Sequence, residues 1–252
     1  MSWMKRAAWA AGIAAAVLAG GARAAGGDLP LLEAKVELGD RASLQRGAKL
    51  YVNYCAGCHS AQYLRFSQLG RDLGLTEDQV RANLMFATDK PGDPILATLS
   101  ESDASAWFGQ APPDLSLTAR SRGADWIYTY LMTFYRDEGR PFGANNLVFP
   151  DVAMPHVLVE LQGVQVRKEA GGEDGHEPAA RSAMELLELA ESGSMSVAEY
   201  RRTVRDLVNF LVYLGEPAKL HRYTVGGWVL LFLLVFFVIS RLLYKEYWKD
   251  VH

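Results

Sequence analysis

Cysteine is nearly absent from this chain of 252 residues: Cys55 and Cys58 are the only two. That scarcity excludes a disulfide-stapled scaffold. It also excludes a closed zinc site built on cysteine pairs, since such a site takes four nitrogen or sulfur ligands. A disulfide between residues three apart closes too short a loop to add much stability. A thioredoxin-like redox pair would follow a strand in a βαβ unit, whereas the residues before Cys55 read as helix. Charge of one sign is scarce as well, with a formal net charge of −3, and a mildly acidic chain argues against nucleic acid as partner. No internal repeat is present, and long apolar runs occur only toward the two ends.

What the chain does have is the run Cys55-Ala56-Gly57-Cys58-His59. C-x-x-C-H is the attachment signature of a c-type haem. Two thiols at this spacing add across the two vinyl groups of one porphyrin. The next residue then offers an imidazole to the iron from the same face, which makes His59 the proximal axial ligand.

Residues 1–24 read as a cleaved export signal. Lys5 and Arg6 are its charged start, Ala7 to Leu18 its apolar stretch, and Ala22-Arg23-Ala24 a small-x-small cleavage site, with Ala25 as the neighbouring alternative. Losing Lys5, Arg6 and Arg23 with the leader takes the formal charge from −3 to −6, which suits a basic protein partner. At the other end, Val225 to Tyr244 is apolar except for Arg241. Twenty helical residues cover about 30 Å, the thickness of a bilayer core. Trp228, Tyr244, Tyr247 and Trp248 suit the interfaces. The expected organisation is an exported haem domain over 25–222, a transmembrane anchor over 223–244 and a cytoplasmic tail over 245–252.

Within the exported domain, Asp40 is placed to cap a helix running to about Tyr54, with Gly47 on its apolar face. Thr76 opens a second helix to about Ala87 through a capping box with Gln79. Lys90 to Leu117 reads as irregular, punctuated by Pro91, Pro94, Pro112 and Pro113. A third helix is expected from about Asp125 to Tyr135, and a short strand or hairpin around Gly163 within Val157 to Val166. Glu169 to Ala180 is Gly-rich and acidic, which reads as a mobile surface insertion. A second capping box, Ser196 with Glu199, opens a last helix that Gly215 and Pro217 stop. The first and last helices are expected to cross over the haem, with Gly47 permitting their close approach.

Whether the haem binds small molecules or moves electrons depends on a second axial ligand. The candidates are His156, His176 and His221, and Met85, Met132, Met154, Met184 and Met195. Met85 and Met132 have apolar helical neighbours and read as core, His176 lies in the acidic insertion, and His221 adjoins the span. Met154-Pro155 lies in a proline-fixed loop that can present a thioether. On the residues alone Met154 leads and His156 stays open, two positions along the same loop.

Several motifs together resemble the cytochrome c1 family, the haem-bearing subunit of the bc1-type quinol–cytochrome c oxidoreductase. They are the early CAGCH run, Ala111-Pro112-Pro113-Asp114-Leu115-Ser116, Arg120-Ser121-Arg122 leading to Asp125-Trp126, Phe149-Pro150 with Ala153-Met154-Pro155, and the terminal anchor. The resemblance implies a mainly α fold: a cytochrome c-like haem domain with insertions plus one C-terminal transmembrane helix. It implies one covalent haem c held by Cys55 and Cys58, with His59 and Met154 on the iron, Pro112 and Pro113 at the haem edge, and Arg122 paired with a propionate. Trp126 stands where the family often has tyrosine. Some bacterial members carry a second cysteine pair as a disulfide, which two cysteines cannot supply.

The implied function is transfer of single electrons from a Rieske iron–sulfur protein to a cytochrome c, with no substrate bond made or broken at this haem. Methionine–histidine ligation raises a haem potential, as an acceptor from a Rieske centre at up to roughly +300 mV requires. The implied partners are a cytochrome b subunit, against which Gly226 and Gly227 would allow close packing, membrane lipid, and a dimeric complex in a bacterial inner membrane with the haem domain in the periplasm. Glu101, Asp103, Glu173 and Asp174 are candidate docking charges. Two alternatives are an independent membrane-tethered shuttle to a terminal oxidase and a haem enzyme or sensor with an open sixth site.

Overall fold

A computed structural model describes residues 29–168 and 182–250. The export signal (1–24) and the acidic insertion (169–180), with His176, Glu173 and Asp174, lie outside the described residues. The fold is mainly helical, as expected. Its frame is two helices, α1 (Arg41–Tyr54) and α8 (Val197–Gly215). The Asp40 side chain accepts from the Ser43 N–H at 3.0 Å and so caps α1. Helix α1 buries Leu44, Gly47, Ala48 and Tyr51, and α8 buries Tyr200, Val204, Leu207, Val208 and Leu211.

These stripes face each other because Gly47 lets the backbones touch. A Cβ built on Gly47 would lie 2.1 Å from the Asp206 carbonyl oxygen and 2.6 Å from Phe210 Cβ. The crossing is clamped at the Asp206 carboxylate, which accepts from Ser43 Oγ and Arg46 Nε, both at 2.6 Å.

The capping box of α8 has both halves: Glu199 N–H donates to Ser196 Oγ, and Ser196 N–H donates to the Glu199 carboxylate at 2.9 Å. The Ser196 hydroxyl, then its N–H, hold the Glu199 carboxyl below its ordinary range. A depressed carboxylate pKa contributes stability above the unfolded value of about 4.3 and loses it as pH falls through the folded value. The acid limb of Tm against pH is therefore expected to be shallower in Glu199→Gln than in wild type. Superimposable limbs would remove Glu199 from the account.

Several expectations need correction. The stretch from Lys90 to Leu117 is not irregular throughout. It contains a strand β2 (Pro94–Ile95), antiparallel to β1 (Ala61–Arg65), and a helix α4 (Glu101–Phe108) capped by Ser100. The cap signal Ser100–Asp103 stood in the sequence, and Glu101 and Asp103 sit in the first turn of α4 rather than in a loop. The Thr76 capping box opens α3 (Glu77–Leu84), which ends at Leu84, and α2 (Phe66–Leu73) precedes it. Near Gly163 the expected short strand is present, but not as a hairpin. A short α7 (Val159–Gln162) runs into β5 (Gly163–Arg167), which pairs antiparallel with the distant β6 (Leu187–Ser192). Gly163 has φ +88°, and a Cβ there would meet the Glu191 carbonyl oxygen at 2.1 Å; both demand glycine.

The third helix, α6 (Ala124–Met132), also stops early. Phe134–Arg136 is a strand, β3, paired with β4 (Ala144–Asn146). Its last carbonyls are satisfied by side chains remote in sequence: Asn146 Nδ2 donates to Tyr130 O, and Gln162 and Gln165 both donate to Met132 O. That termination is tertiary, invisible to local pattern. A short α5 (Thr118–Arg122) precedes α6.

After α8, helix α9 (Lys219–Tyr247) is continuous over 29 residues, about 43 Å. Its mean hydropathy over the most apolar window is 2.3, and none of that window is buried in the chain. An unburied apolar helix of this length fits a single-pass membrane anchor.

Candidate functional site

The C-x-x-C-H run forms the turn that ends α1. Cys55 N–H still donates to Tyr51 O, while Cys58 N–H and His59 N–H both return to Cys55 O at 3.0 and 2.8 Å. The Tyr51 hydroxyl, buried in the core, donates to His59 O at 2.6 Å and fixes the end of the turn. Cys55 is buried and Cys58 exposed. Burial, reinforced by Cys58, pushes the Cys55 thiol up to about 12.

His59 Nδ1 lies 2.8 Å from the Pro113 carbonyl oxygen. A carbonyl only accepts, so Nδ1 carries the proton and Nε2 keeps a free lone pair, the arrangement that orients a metal-ligating imidazole. Burial lowers the His59 pKa, against the opposing pull of the Pro113 bond and Asp114, and so favours the neutral ring that a metal needs.

The Pro112-Pro113 loop is tied to the chain just after His59. Leu115 N–H donates to Ser60 O at 2.8 Å, and the Asp114 carboxylate accepts from the Gln62 and Ser116 N–H groups. It lines a slot together with Ala153-Met154-Pro155. Cys55, Cys58, His59, Pro112, Pro113 and Met154 all line this slot. Its volume is about 90 Å³.

The donor set fits a haem c. It offers two thiols beside an imidazole with a free Nε2, a methionine on the same lining, and apolar sides for a flat ring. A larger cavity of about 550 Å³ lies elsewhere, between α1, α8 and the segment around Lys35. Lys35, Glu37, Arg46, Arg205 and Asp206 line it with both signs of charge, and neither cysteine nor histidine does.

Arg122 is not on the slot lining; its guanidinium carbon lies 5.0 Å over the Trp126 ring. His156 lines a different cavity, with Phe142, Gly143 and Gln165, and its ring stacks on Phe134 at 4.9 Å and 4°. Burial drives the His156 pKa down to about 4. Met85 and Met132 are core residues, Met184 and Met195 pack against the core, and His221 is exposed on α9.

Sequence reasoning missed Tyr54, Phe108 and Gln110 on the slot lining. Tyr130 lies within the third expected helix and was not singled out there. The Tyr130 hydroxyl donates to Met154 Sδ at 3.3 Å, and burial raises its pKa, so the phenol stays a donor. The recoverable signal was the spacing Trp126, Tyr130, Phe134, which brings three aromatic rings together, the first pair stacked and the second edge-on.

Residues 33–251 match the model of the cytochrome C1 family. Cytochrome c1 of Allochromatium vinosum is 52% identical over 229 residues, 91% of this chain and 93% of that protein. A protein of Nitrosomonas europaea named ammonia monooxygenase gamma subunit is 46% identical over 92% of this chain and 93% of its own length. Cytochrome c1 of Cereibacter sphaeroides is 28% identical over 96% and 94%. With a family match over residues 33–251, and with the attachment motif lining the same slot as Met154, the chain belongs to the cytochrome c1 family.

Proposed function

We propose that this chain passes single electrons from a Rieske iron–sulfur protein to a cytochrome c, with its haem domain in the periplasm of a bacterial inner membrane. As a family member it carries one covalently bound haem c and is a membrane-anchored subunit of a bc1-type complex. The observation that carries the electron-transfer reading is the slot itself, whose lining brings His59 and Met154 together with both cysteines. His59 and Met154 would together hold the iron, which would then supply electron exchange rather than a site for substrate.

When bound, the haem supplies a one-electron iron centre. Each remaining task falls to a named residue. Cys55 and Cys58 fix the ring covalently, and the Pro113 carbonyl holds the His59 ring in its ligating tautomer. Met154 supplies a soft, neutral donor that favours ferrous iron. Pro112, Pro113 and Pro155 exclude water from the ring faces, and a low-dielectric surround disfavours the extra positive charge of the ferric state. Arg122 supplies a guanidinium for a propionate, from its position beside Trp126.

The anchor, 223–244, holds this domain (25–222) at the membrane, with residues 245–252 on the cytoplasmic side and the parent complex dimeric. Gly226 and Gly227 have no neighbouring atom within 4 Å of a built Cβ, which leaves their face of α9 open to a cytochrome b helix.

The test is rapid-mixing reduction of the purified complex by quinol. The haem c is expected to be reduced only when the Rieske subunit is present, and to be reoxidised by added soluble cytochrome c. The Nitrosomonas relative carries the name of a different membrane complex, so composition is measured on the same sample. Absence of haem b and of a Rieske centre from the purified material would overturn the assignment.

A further inference from the structure

We propose that Tyr130 is a positioning residue for the haem: its hydroxyl binds the second lone pair of the Met154 thioether and thereby raises the reduction potential. The inference rests on Met154 being the axial ligand. A thioether sulfur has two lone pairs. One can face the slot, and the other lies toward the Tyr130 hydroxyl, whose oxygen is 3.3 Å from Sδ. The phenol has no other hydrogen-bond partner among the described residues.

The ring is held from both sides. Trp126 stacks on it at 5.2 Å and 8°, and Phe134 meets it edge-on at 5.0 Å and 71°. The backbone of the same residue anchors the methionine loop. Tyr130 O accepts from Asn146 Nδ2 at 2.7 Å, and Asn146 Oδ1 accepts from the Val148 and Phe149 N–H groups at 3.0 and 3.2 Å. Farther along the loop Asp151 has φ +61°, a left-handed conformation uncommon outside glycine though tolerated by aspartate. Arg140 fixes it, bonding its carboxylate at 2.9 Å and its carbonyl at 2.6 Å. Tyr130 thus meets this loop twice, through its carbonyl and through its hydroxyl, and the second contact reaches the sulfur itself.

A donor on the free lone pair withdraws electron density from sulfur. The weakened donor loses more with ferric than with ferrous iron, so the bond favours the reduced state. It also selects which lone pair faces the slot, which slows loss of the sulfur from ferric iron.

The test compares full-length holoprotein in three forms: wild type, Tyr130→Phe and Phe134→Leu. Tyr130→Phe keeps the stacked ring and removes only the hydroxyl, whereas Phe134→Leu disturbs the packing and keeps it. In Tyr130→Phe the weak far-red ferric band of a thioether–iron bond is expected to persist but shift. Its ferric-to-ferrous equilibrium is expected to move about threefold toward ferric, close to 28 mV at 59 mV per decade, and imidazole should displace the sulfur from ferric protein several-fold faster. Phe134→Leu should lower Tm without these changes. An unchanged potential and band in Tyr130→Phe, or equal potential shifts in both variants, would overturn the proposal. Absence of the band in wild type would overturn it together with the Met154 ligation beneath it, which separates the two failures.

Discussion

Met154→Leu is expected to abolish the far-red ferric band and to lower the midpoint potential by at least about 100 mV, a fraction of the ~0.8 V that axial ligands command. Leucine matches methionine in volume but offers no lone pair, so the fold persists while ligation is lost. At 59 mV per decade, about 100 mV shifts the sharing of an electron with a fixed donor about 50-fold. Quinol-driven reduction of cytochrome c should fall with it. The reduced variant should also bind carbon monoxide, which the wild type should not. His156→Leu is the paired measurement. Its ring is stacked on Phe134 and lines a separate cavity, so its band is expected to stay. A band that survives Met154→Leu and vanishes in His156→Leu would transfer the ligand role to His156. Carbon monoxide binding by reduced wild type would instead restore the open-site enzyme or sensor.

Gly47→Val is expected to be the most destabilising single substitution outside the slot. The added Cβ alone would lie 2.1 Å from the Asp206 carbonyl oxygen and 2.9 Å from its carbonyl carbon. Both are backbone atoms, so no side chain can rotate away. Helices α1 and α8 must part by more than 1 Å, on the scale of the gap between 2.1 Å and an ordinary contact. Parting them breaks the Ser43 and Arg46 bonds to Asp206 and loosens Tyr51 against Phe210, whose ring centroids are 5.6 Å apart. Overpacking of this kind costs about 3 kcal/mol or more, or roughly 6–12 °C in Tm for a domain of this size. Because α1 runs directly into Cys55, covalent haem incorporation should fall as well. Gly39→Ala is the control, since a Cβ there meets nothing within 4 Å, and its Tm should stay within about 2 °C. A Gly47→Val protein with wild-type Tm would mean that the two helices do not meet at this residue.

The haem-attachment chemistry was legible in five consecutive residues, because two thioethers and one imidazole must reach a single ring and only local spacing achieves that. The helix starts at Asp40, Thr76 and Ser196 were legible for a similar reason: a cap is a bond between residues three apart. The anchor needed only composition and length. Gly47 was legible as a point of close approach, although its contact with Asp206 was not.

What tertiary structure decided is everything that joins distant segments. The early end of α6 depends on carbonyl partners at Asn146, Gln162 and Gln165, and β5 finds its partner in β6 beyond the acidic insertion. The sequence put Met154 ahead but left His156 open, two residues along the same loop. The folded loop, turned at Asp151 and tied to α6 at Tyr130, lines the His59 slot with Met154 and sends His156 into another cavity. No local pattern contains that difference, because the direction a loop side chain faces is set by the elements packed behind it.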